Sequence, residues 1–589
     1  MSTFSRLLGF LRPYRGAVAW SFALAFGAIG ATVLLPYLTG RAIDAIRAHN
    51  RHELIVLAIA IGGAGLVRLA LSVARRLVAG RVSLGVELDL RNRLYGHLQR
   101  LELSFFDRQQ TGQLMSRVTV DLQAVRFFLG YGLTFIAQSV LAIVLAGVAM
   151  FVLRPELAAL ALAPVPFVVL IAQRFGRRSK PALQEVQQRI AELTAEAEEN
   201  ISGVRVVKAF AQEQRQLQRF ERSVGRVFDQ SIYAIRIQAR FTPLLSFVPN
   251  LGLVAILLVG GREVIHGSLT VGQFTAFYAY LLMLIAPMRT LGYLLSAAQR
   301  STASGARIFQ ILDREPRITT PPGAPPLPDG HGGVSLTSVS LTFDGAPRPA
   351  LSEVDLEVGP GSTVALVGGM GAGKTALVSL LGRLYDVSAG SVAIDGADVR
   401  SVDLVSLRRA VATVTDDPFL FSASVHDNIA YGRAQATREE VQRAAAAAQA
   451  DDFIRALPDG YETLVGERGL TLSGGQRQRI AIARAIVADP RILILDDATS
   501  SVDASTEQEI KLALREVMAG RTTFVIAHRL STIALADEIV VLQDGRIAAR
   551  GSHEELLESS ELYGEIVEKG MPDQVFMTRK AMGAGVAGL

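Results

Sequence analysis

The sequence contains no cysteine, which excludes disulfides, thiolate metal sites and cysteine nucleophiles. Lysine is also scarce, because only six of the 60 basic residues are lysines and the others are arginines. No basic run is interleaved with aromatic residues, so we expect no nucleic-acid partner. The N-terminus lacks the cleavage pattern of a signal peptide. The composition is distinguished instead by the apolar part of the chain.

Long apolar runs dominate the first half of the chain. Half of the 589 residues are hydrophobic, and the mean hydropathy of +0.32 is high for a soluble protein. Each run is close to the roughly 20 residues that cross a bilayer as a helix. The runs occupy residues 17–40, 54–79, 132–153, 156–173, 243–262 and 272–296. The sequence therefore predicts a membrane domain of six transmembrane helices over residues 1–313.

The segments after the second and fourth runs are long, charged and amphipathic, with few helix breakers. We expect them to be helices that continue out of the membrane. A proline turn at 152–160 should join the third and fourth spans as a hairpin. Arginines concentrate in the long segments and the N-terminal stub. By the positive-inside rule, these parts and everything after the sixth span are cytoplasmic, in a multi-pass protein of the plasma (inner) membrane.

A second domain is expected after a boundary rich in proline and glycine. Residues 314–334 are typical of a semi-rigid, extended linker. Over residues 335–568, short apolar strands alternate with alanine-rich helices, which predicts an α/β domain with a largely parallel sheet. Residues 569–589 carry no pattern and are expected to be a loose tail. The predicted fold is a membrane α-helical domain fused to an α/β P-loop domain.

The stretch "VALVGGMGAGKTAL" at 364–377 has the pattern of a strand, a glycine loop and a helix start. Its Gly368, Gly373, Lys374 and Thr375 meet the P-loop template, in which backbone N–H groups surround the phosphates of a nucleotide. Lys374 would reach the β and γ phosphates, and the Thr375 hydroxyl would bind Mg²⁺. The other residues predicted to bind the nucleotide here are Gly369, Met370, Gly371, Ala372 and Ala376.

A second phosphate-shaped pattern is "TLSGGQRQRIAIARA" at 471–485. Ser473, Gly474, Gly475 and Gln476 precede or begin a helix, where a hydroxyl and free N–H groups favour an anion. An ordinary capped helix start has the same residues. The P-loop and the strand "ILILDDATSS" at 492–501, which ends in two acids, favour the nucleotide interpretation.

With these motifs the chain resembles the ATP-binding cassette (ABC) family, and in detail a multidrug-type (type IV) exporter half-transporter, over about residues 1–568. Residues 103–121 and 202–214 resemble the intracellular loops of that family. The resemblance implies ATP and Mg²⁺ as cofactors and ATPase activity coupled to outward transport of small amphipathic or lipophilic substrates. It also implies contact with membrane lipid and a second half-transporter as partner.

The resemblance also implies roles for single residues. Phe343 would stack on adenine, although a core phenylalanine at a strand end is at least as common. Asp416 and Asp496 would hold Mg²⁺, and Asp503 lies in "SSVD", which resembles a loop between two cassettes. His528 would contact the γ-phosphate, and Lys374, Asp497 and His528 would be the catalytic residues. Glu467 and Arg468 resemble a loop that senses the neighbouring intracellular helices.

Two positions depart from the family pattern. Asp497 stands where the family usually has Glu, so its carboxylate lies about 1.5 Å further back. Asp416 stands where the family has Gln. Both changes affect the site on this chain's own P-loop, whereas "LSGGQ" at 472–476 is intact. We therefore interpret the chain as the degenerate-site subunit of a heterodimer whose partner has the usual Glu.

Other interpretations stay open at this point. The chain could be a homodimeric lipid or drug flippase with two weakened sites, or an ABC-type ATP-gated channel or regulatory subunit. A soluble ABC ATPase is excluded by the six spans. Arg68, Gln138, Gln173 and Asn250 lie inside apolar spans, where they could contact substrate or stabilise helix packing.

Overall fold

The computed structural model describes residues 2–466, 469, 472–496, 512–527 and 529–570. The chain divides into two compact units, one formed by Met1–His97 with Gly112–Asp313 and the other by Leu98–Thr111 with Arg314–Leu589. We call them the membrane unit and the cassette unit. The short stretch Leu98–Thr111 is thus grouped with the cassette although it lies between helices of the membrane unit in the sequence.

The membrane unit is helical. Its helices are α1 (Thr3–Gly9), α2 (Arg15–Arg47), α3 (Arg51–Leu98), α5 (Thr111–Ser116), α6 (Leu122–Phe127), α7 (Leu133–Leu153), α8 (Pro155–Leu162), α9 (Val165–Ser202), α10 (Val204–Ala209), α11 (Glu213–Ile265) and α12 (Val271–Leu312). A 3₁₀ turn (Arg12–Tyr14) precedes α2, and π-helical stretches (Arg117–Asp121 and Phe128–Gly132) flank α6.

Six helical stretches among the described residues are long and apolar enough to cross a membrane, which confirms the six predicted spans. The predicted extensions are also confirmed, because α3 runs on to Leu98, α9 to Ser202, and α11 begins at Glu213. Pro155 begins α8 directly after extended Arg154, as the proline turn predicts. Arg68 lies with Thr32 and Thr39 at a cavity of about 310 Å³ in this unit, and its role stays a prediction.

The helices α2 and α12 pack with their backbones almost in contact. A side chain at Gly40 would meet the carbonyl oxygen of Gly272, and a side chain at Gly272 would meet that of Gly40. One turn away, Asp44 accepts hydrogen bonds from the Thr270 hydroxyl (2.6 Å) and the Gly272 N–H (2.8 Å). The carboxylate therefore satisfies the Gly272 N–H, one of the orphan backbone donors at the start of α12.

The cassette unit contains two sheets. Its strands are β1 (Val334–Leu341), β2 (Leu351–Val358), β3 (Thr363–Gly368), β4 (Ala389–Ile394), β5 (Ala397–Asp398), β6 (Val411–Val414), β7 (Ile492–Asp496), β8 (Thr522–Ile526), β9 (Glu538–Gln543) and β10 (Arg546–Gly551). The described strands pair in the orders β2-β1-β4-β5, all antiparallel, and β10-β9-β3-β8-β7-β6. From β9 to β6 the second sheet is parallel, as predicted.

The described helices of the cassette unit are α4 (Leu103–Phe106), α13 (Lys374–Leu381), α14 (Leu404–Ala410), α15 (Val425–Ala430), α16 (Arg438–Ala447), α17 (Asp451–Arg455), α18 (Gly474–Ala488), α19 (described over 512–518), α20 (Leu530–Ile533), α21 (His553–Ser559) and α22 (Glu561–Gly570). Successive side chains of β3 are buried on opposite faces of the sheet. Val364 packs in one hydrophobic cluster, and Ala365 packs in a second cluster. Both faces of the sheet are therefore covered, which explains the uninterrupted apolar strands in the sequence.

The stretch predicted as a linker is held against the cassette by hydrogen bonds. The Asp395 carboxylate accepts from the backbone N–H groups of Gly332 (2.8 Å) and Gly333 (2.9 Å). Further back, the N–H of Leu327 donates to the Ser406 hydroxyl at 2.8 Å. β1 begins at Val334, the last residue of the predicted linker. The domain limits 1–313, 314–334, 335–568 and 569–589 stay predictions.

Candidate nucleotide site

Strand order collects the predicted functional residues at one edge of the parallel sheet. The strands β3, β8, β7 and β6 are neighbours. The glycine loop follows β3, Asp496 is the last residue of β7, and Asp416 comes two residues after β6. Because the carboxyl ends of parallel strands meet at one edge, these groups lie along the crevice where α/β proteins bind ligands.

The glycine loop has a backbone that only glycine adopts easily. Gly373 has a φ of +104° directly before α13, and a Cβ there would lie 2.6 Å from the Ala350 carbonyl oxygen. Gly368, Gly369, Gly371 and Ala372 complete the turn between β3 and α13, and the Met370 side chain is fully exposed at its tip. The loop therefore leads the chain into a helix N-terminus, where N–H groups favour an anion.

The Lys374 side chain is folded back on this loop. Its ammonium donates to the carbonyl oxygens of Gly368 (2.7 Å) and Gly369 (3.0 Å), and the residue is buried. A buried ammonium needs acceptors, and these carbonyls supply two of them. The lysine is thus held beside the place where the phosphates of a nucleotide would sit.

A cavity of about 660 Å³ opens beside the loop, which is within the usual size of a small-molecule site. Thr375, Ala376 and Asp496 contribute to its wall, together with Phe343 and Tyr385. A hydroxyl and a carboxylate in one cavity suit Mg²⁺, which takes few protein ligands and keeps water and phosphate oxygens as the others. Among the described residues no group of three or more His, Cys, Asp or Glu could hold a metal alone.

The aromatic wall of the cavity is a pair of rings. Phe343 and Tyr385 lie edge to face, with 5.1 Å between ring centroids and an interplanar angle of 82°. Phe343 is partly buried and also packs against the core. Both interpretations of this residue therefore agree with its position, because one ring can close the core and line the cavity.

The signature stretch begins α18 with a capping box. The Ser473 hydroxyl accepts from the Gln476 N–H (3.3 Å), and the Gln476 side chain accepts from the Ser473 N–H (2.9 Å). Gly474 is the first helical residue and Gly475 is buried. The capped helix start that the sequence predicts is therefore present. The positive end of the dipole of this 15-residue helix lies at exposed Ser473.

Several predicted residues are placed only in part. Asp416 is exposed beside Thr415, and the neighbouring Thr415 carbonyl accepts from Gln478 at 3.4 Å. The predictions for Glu467, Arg468, Asp497, Asp503 and His528 lie outside the described residues. All the roles assigned from sequence stay predictions.

Sequence reasoning missed Leu103 and Tyr385. Both line the cavity, and the Tyr385 hydroxyl donates to Asp107 at 2.7 Å. Burial, reinforced by this hydrogen bond, raises the pKa of Tyr385 far above its usual range. No local pattern marks Leu103 or Tyr385, because each reaches the cavity through tertiary packing.

Comparison with known proteins agrees with this geometry. The chain matches the family described as "ABC transporter transmembrane region" over residues 18–288 and the family described as "ABC transporter" over residues 351–500. It is 39% identical over 560 residues to an ATP-dependent lipid A-core flippase of Syntrophus aciditrophicus, covering 95% of this chain and 92% of the relative. The chain belongs to the ABC transporter family.

Two further relatives cover nearly all of this ABC transporter chain. It is 39% identical to the multidrug efflux ATP-binding/permease protein Rv0194 of Mycobacterium tuberculosis, over 99% of this chain and 49% of that protein. A solved bacterial Atm1-family ABC exporter with ATP bound is 31% identical, with a TM-score of 0.77 over 94% of this chain and 98% of the other. This ABC transporter therefore has the fold of an ATP-driven exporter, with a multi-pass membrane domain and an ATP-binding cassette.

Proposed function

We propose that this chain is one half of a heterodimeric ABC exporter that moves small amphipathic or lipophilic substrates outward. Its own P-loop forms a site that hydrolyses ATP slowly, and its signature stretch completes a competent site on a different partner chain. The single observation that supports the asymmetry is that Asp416 and Asp497 stand where the family pattern has Gln and Glu, whereas "LSGGQ" is intact.

The need for a second chain follows from family resemblance together with the geometry. In this family each composite site takes the P-loop of one cassette and the signature of the other. The exposed tip of the loop at Met370 and the outward-facing start of α18 at Ser473 are both surfaces that such a partner would cover. The chain spans 49% of the length of the Mycobacterium tuberculosis relative.

Different residues of the chain act on different parts of ATP. The N–H groups at the start of α13 and the ammonium of Lys374 bind the phosphates, and Phe343 stacks on the base. Bound Mg²⁺ would be held by Thr375 and Asp496 and would neutralise charge on the transferred phosphoryl group. Asp497 directs the attacking water, and His528 contacts the γ-phosphate. Hydrolysis and release of the phosphate reset the cassettes after transport.

Two properties of the site explain slow turnover, namely the short side chain of Asp497 and the added negative charge of Asp416. A carboxylate shortened by one methylene misplaces its oxygen, and an error of about 1 Å can lower a rate by about 10²-fold. Asp416 adds a negative charge near Asp496, where a neutral glutamine is usual. Each change weakens the positioning of water, so both together favour a site that binds ATP and turns it over poorly.

A homodimeric flippase is the second candidate, because a relative of similar length is named as a lipid A-core flippase. A homodimer would contain two copies of the weakened site and no competent one. The two candidates therefore differ in the ATPase rate of the chain alone.

Purification distinguishes them. The full-length chain is expressed alone and together with the partner with which it copurifies, and each sample is reconstituted in lipid nanodiscs. We expect brisk ATPase activity and substrate transport only from the mixed dimer. A stable dimer of this chain alone that hydrolyses ATP as fast as the mixed dimer would overturn the heterodimer proposal and favour the flippase.

The same proposal places the N-terminus and the cassette in the cytoplasm and the spans in the plasma membrane. Protease protection in sealed, oriented vesicles tests this placement. The linker around Pro321 should be cut from the cytoplasmic side only.

A further inference from the structure

The cavity beside the P-loop is lined in part by a residue from the Leu98–Thr111 segment. That segment joins α3 to α5 in the sequence and is part of the cassette unit. Leu103, in the segment, is about 41% exposed and contributes its side chain to the cavity wall. The wall of the nucleotide pocket is therefore not formed by the cassette sequence alone.

A hydrogen bond ties the same segment to the aromatic wall. The Tyr385 ring packs edge to face against Phe343 at 5.1 Å, and the Tyr385 hydroxyl donates to the Asp107 carboxylate at 2.7 Å. One side chain thus contacts both the proposed base-stacking residue and the segment.

An ion-pair cluster fixes the residue that follows Phe343. The Asp344 carboxylate lies 3.3 Å from Arg108 of the segment and 2.6 Å from Arg317. The segment is itself anchored, because buried Glu102 pairs with Arg314 and accepts from the N–H of Arg317 at 3.1 Å. Asp344, the residue after Phe343, is therefore held by Arg108 of the segment and by Arg317, whose N–H donates to the segment.

We propose that the Leu98–Thr111 segment forms one wall of the base-binding part of the pocket, with Leu103 contacting the purine and Tyr385 positioning Phe343. This inference deepens the proposed function and rests on it. Asp107 is a positioning residue, because it acts on the ligand through Tyr385, and Tyr385 both lines the cavity and positions Phe343. The ligand class that this wall selects is a purine nucleotide, since the wall offers apolar and aromatic surface to a flat base.

The arrangement couples nucleotide binding to the segment. A preorganised wall lowers the ordering cost that a ligand must meet on binding. By thermodynamic reciprocity, the base then stabilises the attachment of the segment to the same degree. The segment is continuous in the chain with α3 and α5.

The test compares two ligands and a matched pair of tyrosines. Tyr385→Phe and Asp107→Leu each remove the hydrogen bond and approximately keep the side-chain size. Tyr461→Phe is the control, because Tyr461 donates to Asp451 at the same 2.7 Å but does not line the cavity. The full-length chain in nanodiscs is titrated with ATP, which has a purine, and with inorganic tripolyphosphate, which has none.

We expect Tyr385→Phe and Asp107→Leu to raise the Kd for ATP about threefold to tenfold, the effect of one lost hydrogen bond. The Kd for tripolyphosphate should not change, and Tyr461→Phe should leave both constants unchanged. Because the two variants break one bond, the double variant should be no weaker than either single variant. Leu103→Ala should also raise the Kd for ATP and leave the Kd for tripolyphosphate unchanged.

Two results would overturn the inference while leaving the proposed function intact. One is an unchanged ATP Kd in both variants. The other is an equal loss for ATP and tripolyphosphate, which would indicate general damage to the P-loop. If the unmodified chain binds neither ligand, the proposed function fails together with the inference, so the two failures are distinguishable.

Discussion

The ammonium of Lys374 lies 2.7 Å from the carbonyl oxygen of Gly368, so the glycine loop itself stabilises the P-loop lysine. The contact holds the charge inside a buried site at a helix start. A phosphate offers this cation a stronger, charge-assisted partner than a carbonyl does. The loop is therefore preorganised for an anion.

Replacing Lys374 with Ala should remove most ATP affinity. A hydrogen bond to a charged group contributes about 1.5–3 kcal/mol, which corresponds to a rise in Kd of more than tenfold. Lys208→Ala is the control, because that lysine forms an exposed pair with Glu213 at 2.9 Å. Equilibrium titration with ATP measures both variants. Equal Kd values would show that Lys374 does not reach the phosphates.

Gly373→Ala should damage the loop through backbone strain. The φ of +104° disfavours any side chain, and the added Cβ would lie 2.6 Å from the Ala350 carbonyl oxygen. A strained backbone of this kind costs about 1–3 kcal/mol. Gly369→Ala is the matched control, since a Cβ there meets nothing within 4 Å. Thermal melting of the two variants should separate by several degrees, and identical curves would contradict the prediction.

The sequence predicted what local chemistry dictates. Six apolar runs predict six spans because a bilayer requires about 20 apolar residues in each, and the glycine pattern around Lys374 predicts the strand, loop and helix start that the structure has. It did not predict that Leu103 and Tyr385 share a cavity. They lie 282 positions apart in the chain, and their proximity results from tertiary packing that leaves no periodic signal.

A second limit of the sequence concerns residues with two compatible roles. Ser473 and Phe343 each had an ordinary structural interpretation and a functional one. The structure shows a capping box at Ser473 and core packing at Phe343, so the structural role exists in both cases. Their functional roles depend on a ligand or a second chain, which a pattern within one chain does not contain.

Glu102 should make the cassette unit sensitive to acid. Burial pushes the pKa of Glu102 up, but hydrogen bonds from Arg314 and from the Arg317 N–H outweigh it, so the net pKa is lowered from 4.5. In the window below 4.5 the unfolded state then binds more protons than the folded state. The stability that Glu102 contributes is therefore present at neutral pH and is lost as the pH falls through the folded-state pKa.

The test is Glu102→Gln, melted over a pH series that starts at pH 7 and continues well below 4.5. We expect a loss of about 1–3 kcal/mol at pH 7, because Arg314 loses its charged partner in a largely buried pair, and a flatter decline in acid. Glu213→Gln removes one partner of the exposed pair with Lys208 and should change neither stability nor slope by much. A Glu102→Gln protein that declines as steeply as wild type would refute the assignment.

Ser473→Ala should separate the structural role of the signature from its functional one. Losing a capping box costs about 1 kcal/mol. Ser552→Ala is a matched control, because Ser552 and Glu555 form the same capping box at the start of α21, with the same 3.3 Å bond. Both variants should therefore lower the melting temperature of the mixed dimer similarly. Only Ser473→Ala should lower the ATPase rate of the mixed dimer. A similar loss of ATPase activity in both variants would show that the signature stretch acts only as a helix cap.

Asp497→Glu should raise hydrolysis at the chain's own P-loop. The added methylene moves the carboxylate toward the attacking water, and restoring about 1 Å of reach can recover up to ~10²-fold in rate. To observe this site alone, the measurement is made in a mixed dimer that also carries Ser473→Ala, which silences the site on the partner's P-loop. The readout is phosphate release at saturating ATP.

Asp416→Gln decides whether one or both acids limit that site. If both do, Asp497→Glu alone gives a small gain and the double variant a much larger one, because the water and the metal must be positioned together. Asp496→Asn in the same background should abolish the gain, since the metal-holding carboxylate is lost. A double variant that remains as slow as the parent would show that neither acid is the bottleneck, and the asymmetric dimer would then lose its physical basis.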